Sequence, residues 1–131
     1  MTILQDDHMC FVCGEKNSIG LKLRFETKEK TTKATFVPEK EHQGYKDIVH
    51  GGILSTILDE AITRLGYELG LNVVTATIKV NFRQPALVGE KLFVEGEITE
   101  EGKRKVLGKS KITKEDGTLV ADCEGILMKI K

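Results

Sequence analysis

The sequence predicts an α+β fold in which an antiparallel sheet of five to six strands wraps around one long central helix. Three observations carry this expectation. Two segments of period-two alternation come first, and one amphipathic stretch with an unusually wide apolar arc follows them. Four further alternating segments then run in succession with no helical stretch between them. A parallel doubly wound sheet needs a crossover helix between successive strands, so that architecture is excluded.

The first twenty residues read as a loop-rich lead-in to a single domain spanning residues 1–131. Leu21, Leu23 and Phe25 alternate with Lys22, Arg24 and Glu26, the pattern of a half-buried strand. Lys28 to Lys30 makes a turn into a second strand, Thr31 to Val37, which ends near Pro38. From Gly51 to about Leu69 the period changes. Leu54, Leu58, Ala61, Leu65 and Leu69 form one stripe, widened by Ile53, Ile57 and Ile62. Ser55, Thr56, Asp59, Glu60, Thr63, Arg64 and Tyr67 fill the other side of a helix of about five turns. Gly70 is placed to end it.

Ala76, Ile78, Val80 and Phe82 alternate with polar residues as far as Gln84-Pro85. Leu92, Val94 and Ile98 mark the next strand, and Val106 to Thr113 the one after. Glu115-Asp116-Gly117 is a hairpin signal leading into a last strand from Thr118 to Ile130.

Composition narrows the function classes. Twenty basic and twenty acidic side chains cancel, leaving no net field for a polyanion. The basic residues between Lys103 and Lys114 have no interleaved aromatics and read as a solvated strand face, so nucleic acid is not an expected partner. No window has the apolar length of a membrane span, and Asp6 and Asp7 stand where an export signal would be basic. Three cysteines, an odd number, fit a reducing compartment; a cytoplasmic location is expected.

Chemistry concentrates in His50-Gly51-Gly52, followed after six mostly apolar residues by Asp59 and Glu60. A helix start offers unpaired N–H groups and partial positive charge, which suit a carbonyl oxygen gaining negative charge. A carboxylate supplies the nucleophile or base that carbonyl chemistry requires. Yet Asp59 lies about 12 Å beyond Gly51 along a helix axis, and attack needs atoms roughly 3–3.5 Å apart. One chain cannot present both groups to one carbonyl. Two antiparallel helices across a two-fold axis can, so a homo-oligomer with a shared site is expected. Glu60 points about 100° away from Asp59 and is assigned a structural or interface role.

These motifs resemble the hotdog-fold acyl-CoA thioesterases, in the branch related to phenylacetyl-CoA thioesterases. Gly44-Tyr45, Ile48 to Gly52, Leu58 to Ala61 and Thr77 to Pro85 carry the likeness. Cys10-Phe11-Val12-Cys13-Gly14, with Asn17 and Gly20-Leu21, resembles a lead-in found in one subgroup. The resemblance implies a dimer or dimer of dimers hydrolysing acyl-CoA thioesters without a metal or other cofactor. It implies Asp59 as catalytic carboxylate, Gly51 as the carbonyl-polarising N–H, and His50 as the residue holding that loop and the substrate. Thr77 falls where some relatives place a hydroxyl that orients water. Many relatives carry Asn where this chain has Gly44, so Gln43 or His42 is a candidate replacement. Gly52 and Thr63 complete the expected substrate-binding set.

Two other classes compete. A non-catalytic acyl-CoA sensor would use the same groove, and a hotdog dehydratase or hydratase would need a His and acid arrangement absent from this sequence. Cys10-x-x-Cys13 with His8 offers three local ligands where structural zinc takes four, so turn packing is the expectation there. Cys123 reads as a small buried hydrophobe.

Overall fold

The computed structural model describes residues 4–130. Its elements are β1 (Glu26–Lys28), β2 (Thr31–Phe36), a short 3-10 turn (Lys40–His42), α1 (Gly51–Glu68), β3 (Val73–Phe82), β4 (Leu92–Glu101), β5 (Lys105–Lys114) and β6 (Leu119–Lys129). All six strands form one antiparallel sheet in the order β1-β2-β4-β5-β6-β3. The predicted architecture is the observed one. No helix among the described residues is long and apolar enough to cross a membrane.

The sheet curls around α1, and the wide apolar arc explains why. Ile57, Leu58, Ala61, Ile62 and Leu65 are all inaccessible to solvent, as are Leu92, Val94, Val106, Ile112, Val120 and Leu127 facing them. Burying one such Leu or Ile contributes about 1.5–3 kcal/mol. The helix sits close to the sheet because small residues line its track. A Cβ at Gly96 would lie 2.7 Å from the Ala61 carbonyl oxygen, and one at Gly108 would lie 2.5 Å from Ile62 Cγ2. Between them, the buried Ser110 hydroxyl donates to the Leu58 carbonyl at 2.8 Å. Gly70, at φ +80°, then ends the helix, its N–H returning to the Tyr67 carbonyl at 3.0 Å.

The first predicted strand differs. Residues 21–25 keep the expected alternation of burial, with Leu23 buried and Leu21 and Phe25 half-buried, but β1 begins only at Glu26. The reason lies in the partner. Leu21 and Leu23 donate to the Phe11 and Val12 carbonyls at 2.8 and 2.9 Å, so this stretch pairs with the lead-in and not with the sheet. The lead-in also places Val12 in the core.

Strand β3 lies at one edge of the sheet, opposite β1. Its register against β6 slips between Thr75 and Thr77. Ile78, Val80 and Phe82 oppose Gly125, Cys123 and Ala121, on the side facing the helix. Ile78 and Phe82 nonetheless remain 38% and 56% exposed.

Candidate active site

Two parts of α1 carry the candidate chemistry. At its start, His50 is the N-cap in extended conformation, and its Nδ1 accepts the Gly52 N–H at 2.8 Å. In the neutral ring this leaves the proton on Nε2. The Ile53 and Leu54 amides turn back to the His50 carbonyl at 3.0 and 3.3 Å. Of these first-turn amides, only that of Gly51 donates to no acceptor among the described residues. The edge of the Phe82 ring lies beside Gly51, 3.4 Å from where a Cβ would stand.

The preceding loop is pinned so that this amide has a fixed place. Val49 donates to the Ala86 carbonyl and His50 to the His42 carbonyl, both at 2.9 Å. Gly44 leaves room for the imidazole: a Cβ there would lie 3.3 Å from His50 Cδ2. Gln43 and His42, the expected replacements for the missing Asn, are engaged locally. Gln43 Oε1 accepts the Asp47 N–H at 3.0 Å, and His42 Nδ1 accepts the Glu39 N–H at 2.9 Å. Gly52 is committed too, its N–H to His50 and its carbonyl to the Thr56 hydroxyl at 2.8 Å.

More than two turns along, Asp59 is half-buried, and its Oδ1 accepts a 2.6 Å hydrogen bond from the Thr75 hydroxyl. Thr77, which the family resemblance suggests as the hydroxyl that orients water, does not reach Asp59. Regular alternation from Phe82 sets Thr77 opposite Ile126 on the outer face, where it lines an open groove of about 410 Å³ with Lys79, Thr99 and Glu124. A second groove of about 620 Å³ also opens on the outer face, and neither is lined by Gly51 or Asp59. Thr75 was missed because strict alternation, counted back from Phe82, sends it outward. Only the irregularity at Ala76 reverses its direction, and no residue type announces it.

Thr63 lies with Glu60. Its hydroxyl approaches Glu60 Oε1 at 3.4 Å and the Asp59 backbone carbonyl at 3.2 Å. Glu60 meets the lead-in: the Cys13 and Cys10 thiols donate to its Oε2 at 2.9 and 3.4 Å. Burial, then the hydrogen bond to the Glu60 carboxylate, pushes the Cys13 thiol well up, so it stays protonated and donating. His8, grouped with these cysteines from sequence, faces Glu15 at 4.0 Å instead.

Comparison with known proteins agrees with the fold. The profile described as the thioesterase superfamily matches residues 46–121, from the loop before α1 into β6. A Bos taurus protein named acyl-coenzyme A thioesterase THEM4 is 27% identical over 103 residues, covering 78% of this chain and 42% of that protein. The chain thus spans less than half the length of this relative. A hypothetical thioesterase of Streptococcus pneumoniae, crystallised with coenzyme A, superposes with a TM-score of 0.79 at 21% identity, over 82% of this chain and 85% of that one. Two variants of that protein are also solved, with alanine replacing an aspartate in one and a threonine sixteen positions further on in the other. The E. coli PaaI protein, from the phenylacetic acid degradation operon, gives a TM-score of 0.79 at 20% identity, over 85% and 81%. The shared architecture is the hotdog fold.

Proposed function

The chain belongs to the thioesterase superfamily, and from that premise we propose that it hydrolyses acyl-CoA thioesters to a carboxylic acid and free CoA, in a site completed by a second copy of itself. The observation that carries this reading is one helix bearing at its start a Gly51 N–H with no acceptor among the described residues, and a Thr75-held Asp59 eight residues on. These are the two groups thioester hydrolysis needs, and they are about 12 Å apart on one rod. The bovine relative's name and the coenzyme A bound to the Streptococcus pneumoniae protein support the substrate class. The aspartate and threonine altered in the latter have the same sixteen-residue spacing as Asp59 and Thr75.

In this reading the β3 edges of two protomers meet about a two-fold axis, covering Ile78 and Phe82. The thioester carbonyl accepts the Gly51 N–H of one protomer and faces Asp59 of the partner subunit. As the carbonyl carbon becomes tetrahedral, its oxygen gains charge and the hydrogen bond it accepts from the N–H strengthens, an effect worth about 10²–10³-fold in rate for one such donor. Asp59 either takes the proton of an attacking water or attacks the carbon itself to form an anhydride. In both routes the C–S bond breaks, CoA departs as thiolate, and water supplies the second carboxylate oxygen. His50 holds the loop by capping it. Thr75 holds the carboxylate.

The test is thiol release across short, long and aromatic acyl-CoAs, with Asp59→Asn expected to abolish turnover while the assembly persists. Co-expressed Asp59→Asn and Gly51→Pro protomers should form mixed dimers with one intact site of two, although neither variant works alone. Absence of recovered activity overturns the shared site. Coenzyme A binding by the native protein without turnover of any acyl-CoA overturns the enzyme assignment in favour of a sensor.

A further inference from the structure

The lead-in is fastened to the helix face next to Asp59 at two points one turn apart. At the first, Arg64 donates to Asp6 Oδ2 at 3.1 Å and pairs with Glu68 at 2.9 Å. At the second, Cys10, Cys13 and Glu60 bring two sulfurs and one carboxylate oxygen within 4.8 Å of one another, half-buried. As protein chemistry alone this second fastening is weak, because thiols are poor donors and both serve a single oxygen.

The same three atoms suit a metal better. Zinc binds thiolate sulfur at about 2.3 Å and carboxylate oxygen at about 2.0–2.2 Å, so tetrahedral S···O edges are about 3.6 Å. The Cys10 edge is 3.4 Å, and the Cys13 edge, at 2.9 Å, has to open by less than 1 Å. The turn carrying both sulfurs is tight: the Gly14 N–H returns to the Cys10 carbonyl at 2.8 Å, and a Cβ on Gly14 would lie 2.6 Å from the His8 and Cys10 carbonyls. That fold of the chain aims the two sulfurs at one point. Thr63 approaches the other oxygen of Glu60, as outer partners of ligating carboxylates do. Sequence spacing alone supplied two sulfurs and pointed to His8; the third ligand comes from fifty residues away on α1.

We propose that Cys10, Cys13 and Glu60 bind one thiophilic divalent ion of the zinc class, with water as fourth ligand, clasping the lead-in to α1. On binding, each thiol releases its proton to solvent as its sulfur takes the metal. Two thiolates and a carboxylate leave the metal site with one negative charge in excess. The clasp is independent of the hydrolytic reading and acts on the order of the lead-in.

The test uses the full-length chain, reduced and loaded with zinc, then freed of excess by desalting. About one zinc per chain is expected, together with a rise in Tm and loss of accessible thiol at Cys10 and Cys13. Cobalt(II) should give tetrahedral d–d absorption with thiolate charge-transfer bands, which Cys10→Ser and Cys13→Ser each diminish. Glu60→Gln should weaken zinc binding by at least about tenfold, the lower end of the effect of even outer-shell changes. If the serine variants fail to fold, the Glu60→Gln affinity and zinc protection of the native thiols decide. Reduced native protein that retains no zinc, or unchanged affinity in Glu60→Gln, overturns the proposal.

Discussion

The Thr75 hydroxyl donates to Asp59 Oδ1 at 2.6 Å, joining the middle of α1 to the edge strand β3. It gives the carboxylate one fixed hydrogen bond while the other oxygen makes none among the described residues. A carboxylate held this way has fewer orientations open to it than one free in solvent. Orientation is what a hydroxyl can contribute here, since a misplacement of about 1 Å can cost about 10²-fold.

Thr75→Ala should therefore lower kcat for acyl-CoA hydrolysis by about 10–100-fold, the loss expected for a hydrogen bond to a charged group. Thr75→Ser should recover most of it. Thr77→Ala should stay within about twofold, because Thr77 lies on the outer face opposite Ile126. Steady-state thiol release on the three variants decides; a larger loss from Thr77→Ala would refute the placement.

Gly51→Pro removes the one first-turn N–H that donates to no acceptor among the described residues, without asking the helix to break. Proline is at home at the first helical position, and His50, at φ −62° and ψ 130°, already has the backbone that a following proline requires. The expected loss in kcat is about 10²–10³-fold. Gly51→Ala is the control. It adds a Cβ beside the Phe82 ring at an ordinary 3.4 Å but retains the amide, and should lose under about tenfold. Equal losses in the two variants would mean that bulk, and not the donor, matters.

Periodicity is what made most of the fold legible. The apolar arc of α1 is as wide as a sheet curling around it requires, and four alternating segments without a helix between them exclude a parallel doubly wound sheet. The glycine pair and Asp59 were legible as chemistry because helix starts and carboxylates have known uses. Three things were not. Leu21 and Leu23 alternate correctly but bond to Phe11 and Val12, and alternation says nothing about which backbone a strand pairs with. Thr75 was hidden by a bulge, which changes the parity of every residue before it yet leaves no compositional mark. Glu60 joined Cys10 and Cys13 through tertiary contact, which no local spacing contains.

Gly96→Ala should destabilise the fold by about 1–3 kcal/mol through overpacking. The new methyl would meet the Ala61 carbonyl oxygen at 2.7 Å, which is helix backbone and cannot rotate aside. Relief requires α1 to lift off the sheet, and the same movement pulls Asp59 away from Thr75. Urea unfolding should show a lower midpoint at unchanged m, with a loss in kcat larger than Gly96's distance from the reacting groups suggests. An unaltered midpoint would mean that the helix sits further from β4 than described.

Stability in acid should depend on the far end of β3. Asp122 on β6 accepts from the Asn81 side chain at 3.0 Å and pairs with Arg83 at 2.9 Å, tying β6 to the end of the edge strand. The hydrogen bond from Asn81, then that from Arg83, holds the Asp122 carboxyl below its ordinary range. A carboxyl depressed in the folded state favours folding above its unfolded value of about 3.9 and loses that contribution as pH falls through the folded value. Asp122→Asn should thus cost about 0.5–1 kcal/mol at pH 7, the scale of a half-exposed ion pair. The gap between the two proteins should close as pH drops below about 4. Asp6 and Asp116 are also depressed, yet they titrate alike in both proteins, so the difference isolates Asp122. Urea unfolding of the pair at several pH values reads it directly. A gap that holds constant from neutral pH into acid would show that the loss at neutral pH reflects packing at position 122 and not its charge.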